Sequence, residues 1–76
     1  MRNFRVALDE FQKVLTDYPT STKAPDSLLK IGYSHYELGA YDQARTTLSQ
    51  VIARYPNTTV AKSAEIRLEK MKKEGR

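Results

Sequence analysis

A Tyr-Pro pair stands at residues 18 and 19 and returns at residues 55 and 56, so the same break recurs after 37 residues. Proline lacks the N–H that a helix needs and disfavours helical geometry in the residue before it. The two copies also carry similar side chains at matching positions: Phe4 and Tyr41, Ala7 and Ala44, Phe11 and Leu48, Val14 and Val51, Leu15 and Ile52, Thr22 and Thr59, Ala24 and Ala61. The chain therefore repeats one structural unit.

Apolar residues within each copy are three or four positions apart, which is the spacing of one face of an amphipathic helix. Two further stretches have the same stripe: Leu28, Ile31, His35 and Leu38 in one, and Ala61, Ala64, Leu68 and Met71 in the other. We predict a single all-α domain over residues 1–76 with helices at about 3–18, 24–38, 41–55 and 59–74. Short connections make neighbouring helices antiparallel.

The predicted helices have recognisable ends. Pro19 and Pro56 terminate the first and third helices, and Gly39 closes the second. Thr22 and Thr59 follow the prolines, and their hydroxyls are predicted to cap the helices that come next.

This pattern resembles the tetratricopeptide repeat, a two-helix unit with large and small apolar residues at fixed positions. The residues at those positions are Ala7, Phe11, Pro19, Leu28, Ile31, Gly32, His35, Ala44, Leu48, Pro56 and Leu68. The resemblance implies a solenoid with the helix order B1-A2-B2-A3, in which A and B are the first and second helices of a repeat. One full repeat covers residues 25–58, and we expect an upstream region that supplies the helix before B1.

The repeat period of 37 residues exceeds the 34 that is usual for this family. The lengthened loop, Tyr-Pro-x-[Ser/Thr]-x-x-Ala, resembles that of envelope tetratricopeptide proteins, and residues 21–71 are similar to the C-terminal domain of the YbgF (CpoB) family of Tol-Pal system proteins. That resemblance implies a periplasmic location, a TolA-like protein partner, contact with the peptidoglycan synthesis machinery and a role in cell division. An alternative is another envelope scaffold, such as the lipoprotein of the outer-membrane β-barrel assembly machinery.

The inventory of reactive side chains argues against catalysis. His35 is the single histidine and lies on an apolar stripe, so we interpret it as a core or half-buried residue. Asp9 and Glu10 are adjacent on a helix and point about 100° apart, away from any shared substrate. With no cysteine and no phosphate-binding loop, the sequence predicts no metal site and no cofactor.

Net charge is +4, and the last helix carries most of it, with six basic and three acidic residues from Lys62 to Arg76. Glu65, Glu69 and Glu74 are interleaved with these bases, and the chain has no aromatic array for stacking nucleobases. We therefore predict no nucleic-acid binding. No apolar run reaches the roughly 20 residues of a membrane span.

By resemblance to the family, a partner segment would bind in the concave groove that is lined by the A helices. The groove residues carried over from the family are Asp26, Leu29, Lys30, Tyr33, Tyr36, Glu37, Ser63, Ile66, Arg67, Lys70 and Lys73. Alternatives remain open for several of them. Leu29 and Tyr36 would instead pack against the preceding helix or an upstream element, and the basic residues would form a solvated face. A homo-oligomer formed through Ala7, Phe11 and Val14 of the first helix is a further alternative.

Overall fold

The computed structural model describes residues 3–76, so the first two residues of the predicted domain lie outside the described part. Four helices follow one another: α1 (Phe4–Asp17), α2 (Ala24–Glu37), α3 (Tyr41–Arg54) and α4 (Thr59–Lys73). Each predicted helix is present, and its bounds differ from the predicted ones by one residue at most. The described residues contain no strand, and the fold class is all-α as predicted.

The helices pack in chain order, α1 on α2, α2 on α3 and α3 on α4, and α2 also contacts α4. The four-helix structure has principal extents of 35 × 33 × 18 Å. A helix with its side chains is about 10 Å across, so the shortest extent corresponds to two layers of helices. The contact between α2 and α4 places the two A helices side by side, and this arrangement creates the face described below.

Prediction of the two N-terminal caps was wrong. The cap of α4 is Thr58, whose Oγ1 accepts the backbone N–H of Ala61 at 3.2 Å, whereas Thr59 is the first helical residue. The residue before α2 is Lys23, which makes no side-chain cap. Ser21, the counterpart of Thr58 in the first copy, accepts the N–H of Lys23 instead. The physical reason is that the loop before α2 is two residues longer than the loop before α4. The Ser21 hydroxyl therefore bonds within the loop and not to the first turn of α2.

Glycine ends α2 and α4 in the same way. Gly39 has a φ of +80° and Gly75 one of +75°, a region that glycine adopts without steric cost. Their N–H groups, and those of the residues that follow them, bond back to carbonyls of the last helical turn. These bonds confirm that Gly39 closes α2. The same conformation at Gly75 turns the chain after α4 back toward the helices.

The hydrophobic core lies around α3. Ala44, Leu48 and Val51 are fully buried, and Leu28, Leu29, Ala64 and Met71 join them in one cluster. Close approach of α2 to α3 depends on Gly32, because a Cβ built there would lie 2.7 Å from Leu48 Cδ2.

The residues predicted to pack the repeats differ in burial. Leu28, Ile31, Gly32, Ala44 and Leu48 are buried, whereas Ala7, Phe11, His35 and Leu68 are half-buried and Pro19 and Pro56 are exposed. The prolines lie in turns, so they end helices without contributing to the core. In α1 no residue is fully buried, because this helix packs against α2 alone.

Candidate functional site

The exposed face shared by α2 and α4 brings four of the predicted groove residues together. The guanidinium carbon of Arg67 lies 4.3 Å from the centre of the Tyr33 ring and 5.0 Å from that of Tyr36. Lys70 Nζ lies 5.6 Å from the Tyr36 ring centre. These distances are within the range of cation–π attraction. The tyrosines come from α2 and the cations from α4, so this cluster, which we call the α2–α4 face, exists only when the two helices pack.

Spacing along each helix explains the cluster. Tyr33 and Tyr36 are three residues apart on α2, and Arg67 and Lys70 are three apart on α4, so each pair projects from one side of its helix. Both tyrosines also pack partly against the hydrophobic core. That packing restrains their rings while leaving the remaining ring surface available to a ligand.

One end of this face is formed by residues that sequence reasoning missed. Tyr41 packs edge-on against Tyr36 with the ring centres 5.6 Å apart. Arg76 lies over the Tyr41 ring at 4.5 Å and donates a hydrogen bond to the Tyr41 hydroxyl, and Arg45 donates one to the backbone carbonyl of Arg76. The available signal was Gly75, since a glycine after a helix often turns the chain back.

Glu74 accepts a hydrogen bond from the Tyr36 hydroxyl. The pKa of Tyr36 is raised above its ordinary value. The hydrogen bond is the largest cause, and partial burial of the ring and the negative charge of Glu74 are the smaller ones. The Tyr36 hydroxyl therefore donates to Glu74 and keeps its proton to a higher pH than a tyrosine in solvent.

Several other predicted groove residues lie outside this cluster. Asp26 and Lys30 form an exposed ion pair at 3.9 Å, a kind that contributes little to stability. Glu37 and Lys73 are exposed, Ser63 is half-buried, and 64% of Ile66 is exposed.

Of the two interpretations left open for Leu29, the structure favours packing within the protein over exposure in the groove. It is only 6% exposed and belongs to the core cluster, so it offers almost no surface to a partner. Its apolar side chain gains more from burial in the core than from exposure in the groove.

The α2–α4 face presents tyrosine rings beside cations, a chemistry that suits anionic or aromatic groups. His35 lies apart from it, in a depression shared with Asp42, Gln43 and Thr46, where partial burial lowers its pKa. Among residues 3–76 there is no group of three potential metal ligands. Nor does any helix in the described part of the chain have the length and apolar character needed to cross a membrane.

Comparison with known proteins identifies the repeat. Residues 26–58, which cover most of α2 and all of α3, match the family described as tetratricopeptide repeat. No curated protein matches the chain. Repeats of this family are generally non-catalytic modules for protein–protein interaction, and the packing of α2 against both α3 and α4 is that of stacked helical hairpins. Residues 26–58 are therefore similar to a tetratricopeptide repeat, and the chain that contains them is an all-α protein of packed helical hairpins.

Proposed function

We propose that the chain is a non-catalytic docking module that binds a segment of a partner protein on the α2–α4 face. The observation that carries the proposal is the convergence of Tyr33 and Tyr36 with Arg67 and Lys70. Tyrosine and arginine are the residues most often responsible for binding energy at protein interfaces. The surface suits an extended or helical segment with acidic residues.

We further propose that the module belongs to a periplasmic protein of the Tol-Pal system, similar to the YbgF (CpoB) family. The partner is then a TolA-like segment, and binding helps to coordinate constriction of the envelope with peptidoglycan synthesis during cell division. Support for this assignment comes from the lengthened Tyr-Pro loop and the similarity over residues 21–71. Another envelope scaffold, such as the lipoprotein of the β-barrel assembly machinery, is the alternative identity.

Titration calorimetry with the periplasmic part of TolA tests this function. Tyr33→Ala removes the ring on which Arg67 stacks, and Lys70→Glu reverses a charge on the same face, so each is expected to weaken binding about tenfold or more. Tyr18→Ala and Lys13→Glu are matched controls, because they make the same chemical changes on exposed parts of the α1 region. Equal affinity of all four variants and the wild type would remove the α2–α4 face as the binding site.

A second candidate function is self-association through α1. Ala7, Phe11 and Val14 of α1 are only half-buried, and Val6 beside them is 51% exposed. The counterparts of the first three in α3, which are Ala44, Leu48 and Val51, are completely covered. An amphipathic helix with one neighbour therefore leaves apolar surface exposed. Light scattering over a range of concentrations tests this possibility, and a monomer at the highest concentration would exclude it.

A further inference from the structure

The turns that follow α2 and α4 have the same backbone structure. In each, three successive N–H groups bond back to carbonyls of the last helical turn with the same spacing, and a glycine with positive φ stands at the centre. Their side chains differ. The first turn, at 38–40, has no polar side chain, whereas the second, at 74–76, has Glu74 and Arg76 on either side of Gly75. The second turn can therefore reach neighbouring helices as well as close its own.

Both charged side chains of the second turn bond to residues of other helices. Glu74 accepts a hydrogen bond from the hydroxyl of Tyr36, near the end of α2. Arg76 donates one to the hydroxyl of Tyr41 at the start of α3, and its guanidinium carbon lies 4.5 Å from the Tyr41 ring centre and 5.9 Å from that of Tyr36. Arg45 of α3 donates a further bond to the backbone carbonyl of Arg76. The turn thus ties the end of α4 to both helices of the α2–α3 hairpin.

Apolar packing alone restrains the orientation of α4 only loosely. The buried residues of α4 are Ala61, Ala64 and Met71. Alanine side chains are short, methionine adapts its shape to its surroundings, and apolar attraction has no preferred direction. Hydrogen bonds and cation–π contacts, by contrast, require particular positions of both partners. The turn after α4 therefore supplies the directional restraint that the buried face of this helix lacks.

We propose that residues 74–76 are a clasp that fixes the angle of α4 on the hairpin and so assembles the α2–α4 face before any ligand is bound. When the clasp is closed, Lys70 lies near the Tyr36 ring and Arg67 near the rings of both tyrosines of the face. When it opens, the end of α4 swings away from α2. A swinging helix moves most at its free end, so Lys70, one turn before the clasp, separates first and Arg67 second.

The clasp has a consequence for binding. A face that is held in place in advance loses less conformational freedom when a ligand arrives. The inference concerns the chain itself, and it goes beyond the proposed docking function without depending on it.

Removal of the two charged side chains tests the clasp. Glu74→Ala together with Arg76→Ala deletes their side-chain contacts and leaves the glycine of the turn in place. Lys72→Ala together with Lys73→Ala is the matched control, because it removes two exposed charged side chains from the same end of α4. All four positions are exposed, and circular dichroism checks that both variants fold.

NMR spectroscopy of the full chain, labelled with nitrogen-15 and carbon-13, reports on the face directly. Ring currents shift the proton signals of a side chain that lies over an aromatic ring, and nuclear Overhauser effects connect the two groups. We expect the double alanine variant at 74 and 76 to lose these effects between Lys70 and Tyr36. Those between Arg67 and Tyr33 should become weaker. The lysine control should keep both sets.

A second pair of variants changes the turn without changing its charges. Gly75 has a φ of +75°, which asparagine adopts far more readily than valine. Gly75→Val should therefore redirect residue 76 and cause the same losses, whereas Gly75→Asn should keep the wild-type signals.

Persistence of the Lys70 signals in the double alanine variant or in Gly75→Val would overturn the clasp, and so would losses of equal size in the lysine control. None of these outcomes depends on TolA, so failure of the clasp is distinguishable from failure of the proposed function.

Discussion

The effect of Gly32→Ala on stability should depend on the residue at position 48. The substitution should destabilise the protein beside Leu48 and stabilise it beside alanine. A Cβ at position 32 would lie 2.7 Å from Leu48 Cδ2 and 2.9 Å from Leu48 Cγ, whereas carbon atoms in contact prefer about 3.5–4.0 Å. Leu48 must therefore move by roughly 1 Å. It is completely buried among other core residues, so its movement displaces their side chains.

Two opposing contributions set the change in unfolding free energy that Gly32→Ala causes. Alanine favours a helix interior over glycine by about 1 kcal/mol, and an extra carbon in a well-packed core costs about 1–3 kcal/mol. Because the contact involves two Leu48 atoms, we expect the steric cost to be the larger, with a net loss of about 1 kcal/mol in Gly32→Ala. For a chain of this size, that corresponds to a fall in melting temperature of about 4–8 °C.

A double-mutant cycle isolates the contact. Leu48→Ala alone should cost about 2–5 kcal/mol, because it leaves a cavity in the core. In that background the clash is gone, so Gly32→Ala should stabilise the protein by up to about 1 kcal/mol. Ala53→Gly, at an exposed position of α3, measures the helix-propensity contribution separately.

Urea unfolding followed by circular dichroism gives the four free energies. The expected coupling between positions 32 and 48 is about 2 kcal/mol, within the range for residues in contact. If Gly32→Ala stabilised the wild-type protein as much as it stabilises Leu48→Ala, the close approach of α2 and α3 at Gly32 would be refuted.

Three further predictions concern single groups. Thr58→Ala should lower the unfolding free energy by about 1 kcal/mol and Thr59→Ala by much less, since only Thr58 caps α4; equal losses in urea unfolding would contradict this. Burial lowers the pKa of His35 below 6.5, so the unfolded chain binds the proton more readily and stability should fall as pH falls through 6.5. The fall should be smaller in His35→Phe, and an unchanged pH dependence of its unfolding free energy would argue against this assignment. Glu74→Gln removes the charged acceptor that raises the pKa of Tyr36, so ultraviolet titration should show this pKa moving down toward 10.0. In the wild type, stability should decline as pH rises above about 10, where the unfolded tyrosine ionises first.

Much of the fold was predictable because its signals are local. The spacing of apolar residues along one helix does not depend on other helices, and proline ends a helix through its own covalent structure. Gly39 likewise closes α2 through a backbone conformation that glycine adopts readily. The caps were less predictable, since Thr58 and Thr59 both have suitable hydroxyls and loop geometry selects between them.

The candidate site was predictable only in part. Family positions led to Tyr33, Tyr36, Arg67 and Lys70, which the structure brings together. The same positions included Leu29, which belongs to the core cluster. No pattern within α2 distinguishes an apolar residue that faces a groove from one that faces a neighbouring helix, because the distinction depends on how α2 packs.

The sequence by itself determined the four helices, the breaks between them and the repeat that relates them, because helix periodicity, proline and glycine act over a few neighbouring residues. Tertiary structure alone decided that Arg67 stacks on tyrosines from another helix and that Glu74 bonds to Tyr36. These pairs are 31 to 38 residues apart in sequence and meet only through the packing of α4 on the α2–α3 hairpin. Contacts of this kind depend on distances between helices, which no periodicity along a single helix encodes.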